Sequence, residues 1–192
     1  MSDPAQLEAT VSDLRKRMEE IGCVFDFTVS SVPIDVQVSD ADHRHALEEL
    51  FEFLRHSCER YCLDTIAREL SLDAQDFFRL EYDISLATAT QLDVLEVGVD
   101  GSSRLQRLEQ AFIDPPYGSR GDEALFAEFC AVIGLTPNAV VLDWVGDPTL
   151  EPERSDWSNY FDAGKEWWGV WCATIWNPAT RTLAAIAASS TD

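Results

Sequence analysis

The sequence predicts an α+β fold: one compact domain over residues 1–192, with a mixed or antiparallel sheet, three to four helices and a C-terminal β-hairpin. Three observations lead there. Helix-period and strand-period segments are mixed along the chain without an internal repeat. Apolar residues make up 46% of the composition and aromatics 10%, enough to fill one core. The last part of the chain reads as two strands around a turn.

Residues 5–21 place Leu7, Val11, Leu14, Met18 and Ile21 three and four apart, the apolar stripe of an amphipathic helix, with Gly22 as its stop. Residues 1–21, which contain this helix, are expected at the periphery of the domain. Residues 23–29 and 34–38 read as short strands, the second alternating apolar and polar side chains as a half-buried strand does. Ser39 and Asp40 open the strongest helix, in which Leu47, Leu50, Phe51, Leu54, Cys58, Tyr61 and Cys62 recur at helical spacing to about residue 70. Ser71 begins a turn or short helix. Phe78, Leu80, Tyr82, Ile84 and Leu86 then alternate with Arg79, Glu81, Asp83 and Ser85, which predicts a strand. Residues 92–99 read as another, ended by Asp100-Gly101, and 104–112 fit either strand or helix. Leu125, Phe126, Phe129, Cys130 and Ile133 define a helix over 121–134, with Gly134 as its stop, and 139–145 is a short strand. Residues 147–166 have little period of either kind. Finally, 167–176 and 182–189 flank the turn-forming stretch 177–181, so that 166–192 is a terminal hairpin, aromatic on one arm and alanine-rich on the other.

Charge sets the functional limits. There are 35 acidic residues against 14 basic ones, a formal charge of −21. Such a surface repels phosphate, which argues against nucleic-acid partners and against anionic membranes. No apolar run approaches the roughly 20 residues of a bilayer span, and Met1 to Pro4 lack the features of a signal peptide, so a cytoplasmic location is expected. Five cysteines without a short-spaced framework read as reduced thiols. Cys58 and Cys62, one helical turn apart near His56, read as buried thiols rather than zinc ligands, and no metal or cofactor is expected.

Catalytic patterns are sparse. No Gly-x-Ser-x-Gly elbow, phosphate loop or His-Glu-x-x-His occurs, and carboxylate pairs arise by chance in a chain this acidic. Asp114-Pro115-Pro116-Tyr117 resembles the signature of amino-group methyltransferases, in which such a tyrosine stacks on a flipped base. Residues 94–98, Val-Leu-Glu-Val-Gly, resemble the first strand and glycine of that family's methyl-donor loop. The resemblance implies a methyl-donor-dependent enzyme. The closely spaced glycines are not completed, however, and the two motifs stand too near each other for the strand–helix units that separate them in that fold. The expectation here is a Pro-Pro turn with a packed tyrosine, and no enzyme.

The charge is unevenly distributed. Residues 64–100 carry nine acids against two arginines, and 147–166 carry six acids against Arg154 and Lys165. The second segment mixes its carboxylates with Trp157, Tyr160 and Phe161. Aromatic anchors among acids suit a surface for a basic protein: rings supply contact area and carboxylates pair with Lys and Arg. The predicted contact residues are Asp147, Glu151, Glu153, Asp156, Trp157, Tyr160, Asp162 and Glu166. An alternative reading of the rings is that they tuck back onto the hairpin tryptophans.

The stretches Glu166-Trp167-Trp168-Gly169, Ile175-Trp176-Asn177-Pro178 and Ala187-Ala188-Ser189-Ser190-Thr191-Asp192 resemble the closing segment of small acidic bacterial immunity proteins. That resemblance implies a protein that neutralises a toxin delivered between competing bacteria, and it transfers no individual site residue. Together with the charge, it predicts a cytosolic binding protein that blocks the cationic site of a cognate toxin such as a nuclease. A third expectation is a structural domain in which the tryptophan-rich hairpin mediates homo-oligomer formation.

Overall fold

The computed structural model describes residues 4–68, 79–93, 95, 102–114, 122–147, 150–162, 164–165 and 169–189, with only the backbone for 61–68. The regular elements among them are α1 (Pro4–Glu20), β1 (Asp26–Ser31), α2 (Asp40–Arg68), β2 (Thr90–Leu92), α3 (Arg104–Ile113), α4 (Glu123–Val132), β3 (Val140–Asp143), β4 (Val170–Asn177) and β5 (Thr182–Ser189). All five strands form one sheet in the order β1-β5-β4-β3-β2, and every pairing is antiparallel.

The sheet is covered on both faces, which explains the alanine-rich arm. Alternate residues of β5 point to opposite sides. Leu183, Ala185 and Ala187 meet α2, whose Leu47, Leu50, Phe51 and Leu54 are buried there. Ala184, Ile186 and Ala188 meet Phe25 and Phe27 and the second helix layer, Val11, Leu14 and Met18 of α1, Leu108 and Phe112 of α3, and Phe126 and Phe129 of α4. A strand buried on both sides reads as one continuous apolar run. Small side chains at its centre let two layers of large ones approach. Segment 5–21, expected at the periphery, is therefore part of the core, and Arg17 ties α1 to Glu128 of α4.

Local sequence sets several boundaries. Ser39 starts α2 by giving its backbone N–H and hydroxyl to Asp42 Oδ2, at 2.8 and 2.6 Å. Ser103 and Gln106 form a capping box that makes 104–112 a helix, settling the segment that fitted either period. Asp122 caps α4 through Leu125 N–H at 2.6 Å. Gly22 and Gly134 follow α1 and α4 with φ of 73°, the left-handed stop expected of them.

Three predicted strands change. Residues 34–38 form no strand: 34–37 are exposed, Val38 packs on the core, and Arg181 takes the Val36 carbonyl together with those of Val32 and Pro33 just before the segment. Residues 79–86 make a single bridge, Tyr82 opposite Ser158, and then a 3-10 turn over Ile84–Leu86 that Asp83 caps. Their alternation survives as burial: Leu80 and Ile84 are inside, while Arg79, Glu81 and Asp83 are outside. Of the strand predicted over 92–99, Leu92 is the last residue of β2, which starts earlier, at Thr90; 94 and 96–99 lie outside the described residues. The hairpin forms as predicted in kind, with Asn177 pairing Thr182 across its end. Both of its strands are interior to the sheet, so neither presents an open edge.

A buried polar link ties α2 to the centre of the sheet. His43 Nδ1 lies 2.8 Å from Thr174 Oγ1, and Trp144 Nε1–H donates to the same oxygen at 2.9 Å. Enlarging a small, fully buried side chain that faces α2 tests the close approach of that helix. Ala185→Leu should lower unfolding stability by about 1–3 kcal/mol, measured by urea denaturation, because neither face of β5 has room for the added carbons. A neutral result would mean that α2 does not pack tightly on Ala185.

Candidate functional site

The two acidic segments, separate in sequence, meet in space. The backbone of 79–83 docks along 157–159. Asp83 N–H donates to Trp157 O at 2.8 Å and Asn159 N–H to Glu81 O at 3.1 Å. The Asn159 side chain closes the junction, accepting from Glu81 N–H at 2.9 Å and donating to Arg79 O at 2.8 Å. Ser158 Oγ donates to Glu81 O at 3.0 Å. With the backbones joined this way, Glu81 and Asp83 point outward beside Asp156 and Asp162. The four carboxylates line an open cleft of about 480 Å³ with Tyr82 and Leu86.

One cation touches this group among the described residues. Lys165 Nζ is 2.7 Å from Asp156 and 3.5 Å from Asp162. Tyr82 donates its hydroxyl to Glu52 at 2.9 Å, and Arg55 bonds both Glu52 and Glu59, which continues the acidic surface along α2. Hydrogen bonds from Arg55 and Tyr82 hold Glu52 below the usual carboxylate range.

The predicted contact residues fall into three groups. Asp156 and Asp162 belong to the cleft. Asp147, Glu151 and Glu153 lie at the other end of the segment, where Asp147 accepts the turn hydrogen bonds of Leu150 and Glu151, and Glu151 pairs with Arg154 at 3.2 Å. Glu166 lies outside the described residues. The rings turn inward, which corrects their expected role as partner anchors. Trp157 is 5% exposed, donates Nε1–H to Trp144 O at 3.1 Å and packs against Phe51 and Phe161. Tyr160 lies against Phe51 and Phe161 with its hydroxyl 3.3 Å from Asp26. Leu86, 67% exposed, is the apolar group the cleft does present. Sequence period pointed to Glu81 and Asp83 as an outward-facing pair, but the partnership with 156–162 had no signal in the sequence, because one Asn side chain and one bridge create it.

The other motifs contribute no site among the described residues. Asp114 caps α3 at the surface, while 115–117, 94 and 96–98 lie outside the described residues. Cys23, Cys58, Cys130 and Cys172 form no disulfide among the described residues, where no group of three or more His, Cys, Asp or Glu is placed to hold a metal ion. No helix among the described residues is long and apolar enough to cross a membrane.

No protein-family model matches the chain, and no curated protein matches it. Among solved structures, two crystal forms of citrus MAF1 are similar to it, each with a TM-score of 0.35. The first shares 13% identity over 92% of this chain and 99% of its own; the second shares 9% over 91% and 96%. A likeness at that level carries no weight for function.

Asp26 links the inward-turned Tyr160 to a measurable pH effect. Burial pushes its carboxyl up to about 6, against the hydrogen bond from Tyr160 and the charge of Arg15. An unfolded Asp titrates near about 3.9, so between these values the folded chain holds the extra proton. The favourable contribution of Asp26 is complete below about pH 4 and is lost as pH rises through 6. The difference in unfolding free energy, wild type minus Asp26→Asn, should fall between pH 4 and 7 in denaturation curves. A difference that is flat with pH would contradict a buried Asp26.

Proposed function

We propose that the chain is an acidic binding protein that inhibits a basic partner, an immunity protein that occludes the cationic site of a toxin such as a nuclease. One observation carries the reading. The carboxylates of 81–83 and 156–162, from two acidic stretches far apart in sequence, line a single cleft around an exposed leucine. Clustered carboxylates with low-dielectric walls attract cations and speed their encounter with the surface, by about 10- to 1,000-fold at low salt. Lys165 supports the reading as well. Its pairs with Asp156 and Asp162 are largely exposed on the acid side, so they contribute at most about 1 kcal/mol and a partner's Arg or Lys can replace them.

In this reading the cleft occupies groups that a nuclease reserves for phosphate, and Leu86 supplies the apolar contact beside them. No bond is made or broken. Neutralisation depends on charge complementarity and on a backbone frame that is already set before the partner arrives.

The test uses the product of a toxin-like reading frame adjacent to this gene, co-expressed with the chain and measured for binding. Association should slow steeply with salt while dissociation changes less. Glu81→Lys with Asp156→Lys should slow association by about tenfold or more and abolish protection, without lowering the thermal midpoint. Lys165→Gln should leave protection intact and speed association, since it removes the competing cation. Association indifferent to salt, or protection retained by the doubly reversed variant, would count against the proposal.

A further inference from the structure

A second cleft, of about 600 Å³, lies where α1, the start of β1 and α2 come together. Two guanidinium groups, Arg15 and Arg60, and two carboxylates, Glu19 and Asp26, line it. That balance sets it apart from the acidic cleft, where four carboxylates face one lysine among the described residues. Sites for small molecules are commonly about 300–1,000 Å³, with a few placed polar groups beside apolar walls.

Neighbours hold these charges in place without using them up. Arg15 donates from Nε to Phe27 O at 3.1 Å and from Nη2 to the same oxygen, and its guanidinium lies 4.3 Å from the centre of the Phe53 ring. The carbonyl and the ring fix its plane. A guanidinium has five donors, and Nη1 of Arg15 has no hydrogen-bond partner among the described residues. Asp26 accepts from the Tyr160 hydroxyl at Oδ2, 3.3 Å away, which leaves Oδ1 unused among the described residues. Arg15 and Asp26 act on each other's charge, yet among the described residues no ion pair joins them. Arg60 is exposed, and its one hydrogen bond among the described residues runs from Nη2 to Ser57 Oγ at 3.4 Å.

Such a lining selects a ligand that carries both charges. An anion on the two arginines would also meet Glu19 and Asp26, and a cation on the two acids would also meet Arg15 and Arg60. Like charges brought together cost free energy. A zwitterion satisfies both pairs at once, and its own charges must be close together, because Arg15 and Asp26 are near enough to act on each other. A free α-amino acid carries ammonium and carboxylate on one carbon. Met18, buried, and Phe53, half-buried, supply apolar wall for its side chain.

We propose that this cleft binds a free amino acid with an apolar side chain, its carboxylate on Arg15 Nη1 and Arg60 and its ammonium on Asp26 and Glu19. Binding here is independent of the acidic cleft, and either can fail alone. The probe is L-leucine, titrated into the whole chain while the Arg15 Nε–H and the Asp26 backbone amide are followed by NMR. N-acetyl-leucine, which lacks the ammonium, and leucine amide, which lacks the carboxylate, are the controls. Leucine should produce a saturable shift at both residues with a Kd of about 1 mM or tighter, and each control should bind about tenfold more weakly. Arg60→Glu, at an exposed position, should remove the leucine response and keep the thermal midpoint. Asp26→Asn should weaken leucine about tenfold while N-acetyl-leucine, with no ammonium to lose its partner, binds no more weakly than before. No shift with leucine at millimolar concentration, a control that binds as tightly as leucine, or leucine binding unchanged in either variant overturns the proposal. So does an Asp26→Asn variant that weakens leucine and N-acetyl-leucine equally.

Discussion

Asp143 carries a carboxylate into the end of β3, and much of the functional surface depends on how that charge is met. Burial raises its pKa, while Arg154, Arg104 and the backbone N–H groups of Val145 and Gly146 oppose the rise. A charge this deep persists only when it is paired and hydrogen-bonded. Arg154 does more than pair with it. Its guanidinium also donates to Asp143 O and Thr88 O at 3.0 Å each, so one side chain ties the loop after β3 to the strand end and to the entry into β2. Trp157 follows three residues later and donates to Trp144 O. From there 158–159 reach 81–83. The acidic cleft is the outer end of this chain of bonds, which begins at a buried charge.

The same economy shapes the sheet. Helix layers on both faces leave β4 and β5 no polar side, and the strands respond with alanine in β5 and a single buried threonine in β4. Thr174 is tolerated because two neighbours use its one oxygen, and that use ties His43 of α2 to the centre of the sheet.

Much of the fold was legible in the sequence because period reports burial. The helical stripes, the glycine stops and the terminal hairpin follow directly from residue spacing. Period also held along 79–84, where the inside–outside alternation is correct although no strand forms. What spacing could not show was which backbone takes which partner. Residues 34–38 alternate like a strand, and yet the Val36 carbonyl goes to Arg181, 145 positions away. Trp157 and Tyr160 sit among acids in sequence and against Phe51 in space, because a ring that can bury most of its area and still bond its polar atom goes inward. The carboxylates of the candidate site were named in part; their assembly was not, since Asn159 and one bridge to Tyr82 produce it.

The net charge of −21 understates how acidic the accessible surface is. Arg15 gives its guanidinium to Phe27 O, Arg44 to the carbonyls of Ile84 and Ala87, Arg154 to those of Thr88 and Asp143, and Arg181 to those of Val32, Pro33 and Val36. Irregular segments leave carbonyls without a ladder, and a planar fork of donors satisfies several of them at once. The cost is that, among the described residues, Arg15, Arg44 and Arg181 form no ion pair with a carboxylate, while Arg154 still pairs with Asp143 and Glu151. In a chain with 14 basic residues, four spent this way are a large share. The turn that Arg44 pins at Ile84 and Ala87 carries Leu86 of the acidic cleft, so an arginine gives that part of the cleft a fixed shape. A partner that brings its own cations to such a surface meets a frame already rigid and a charge already uncompensated.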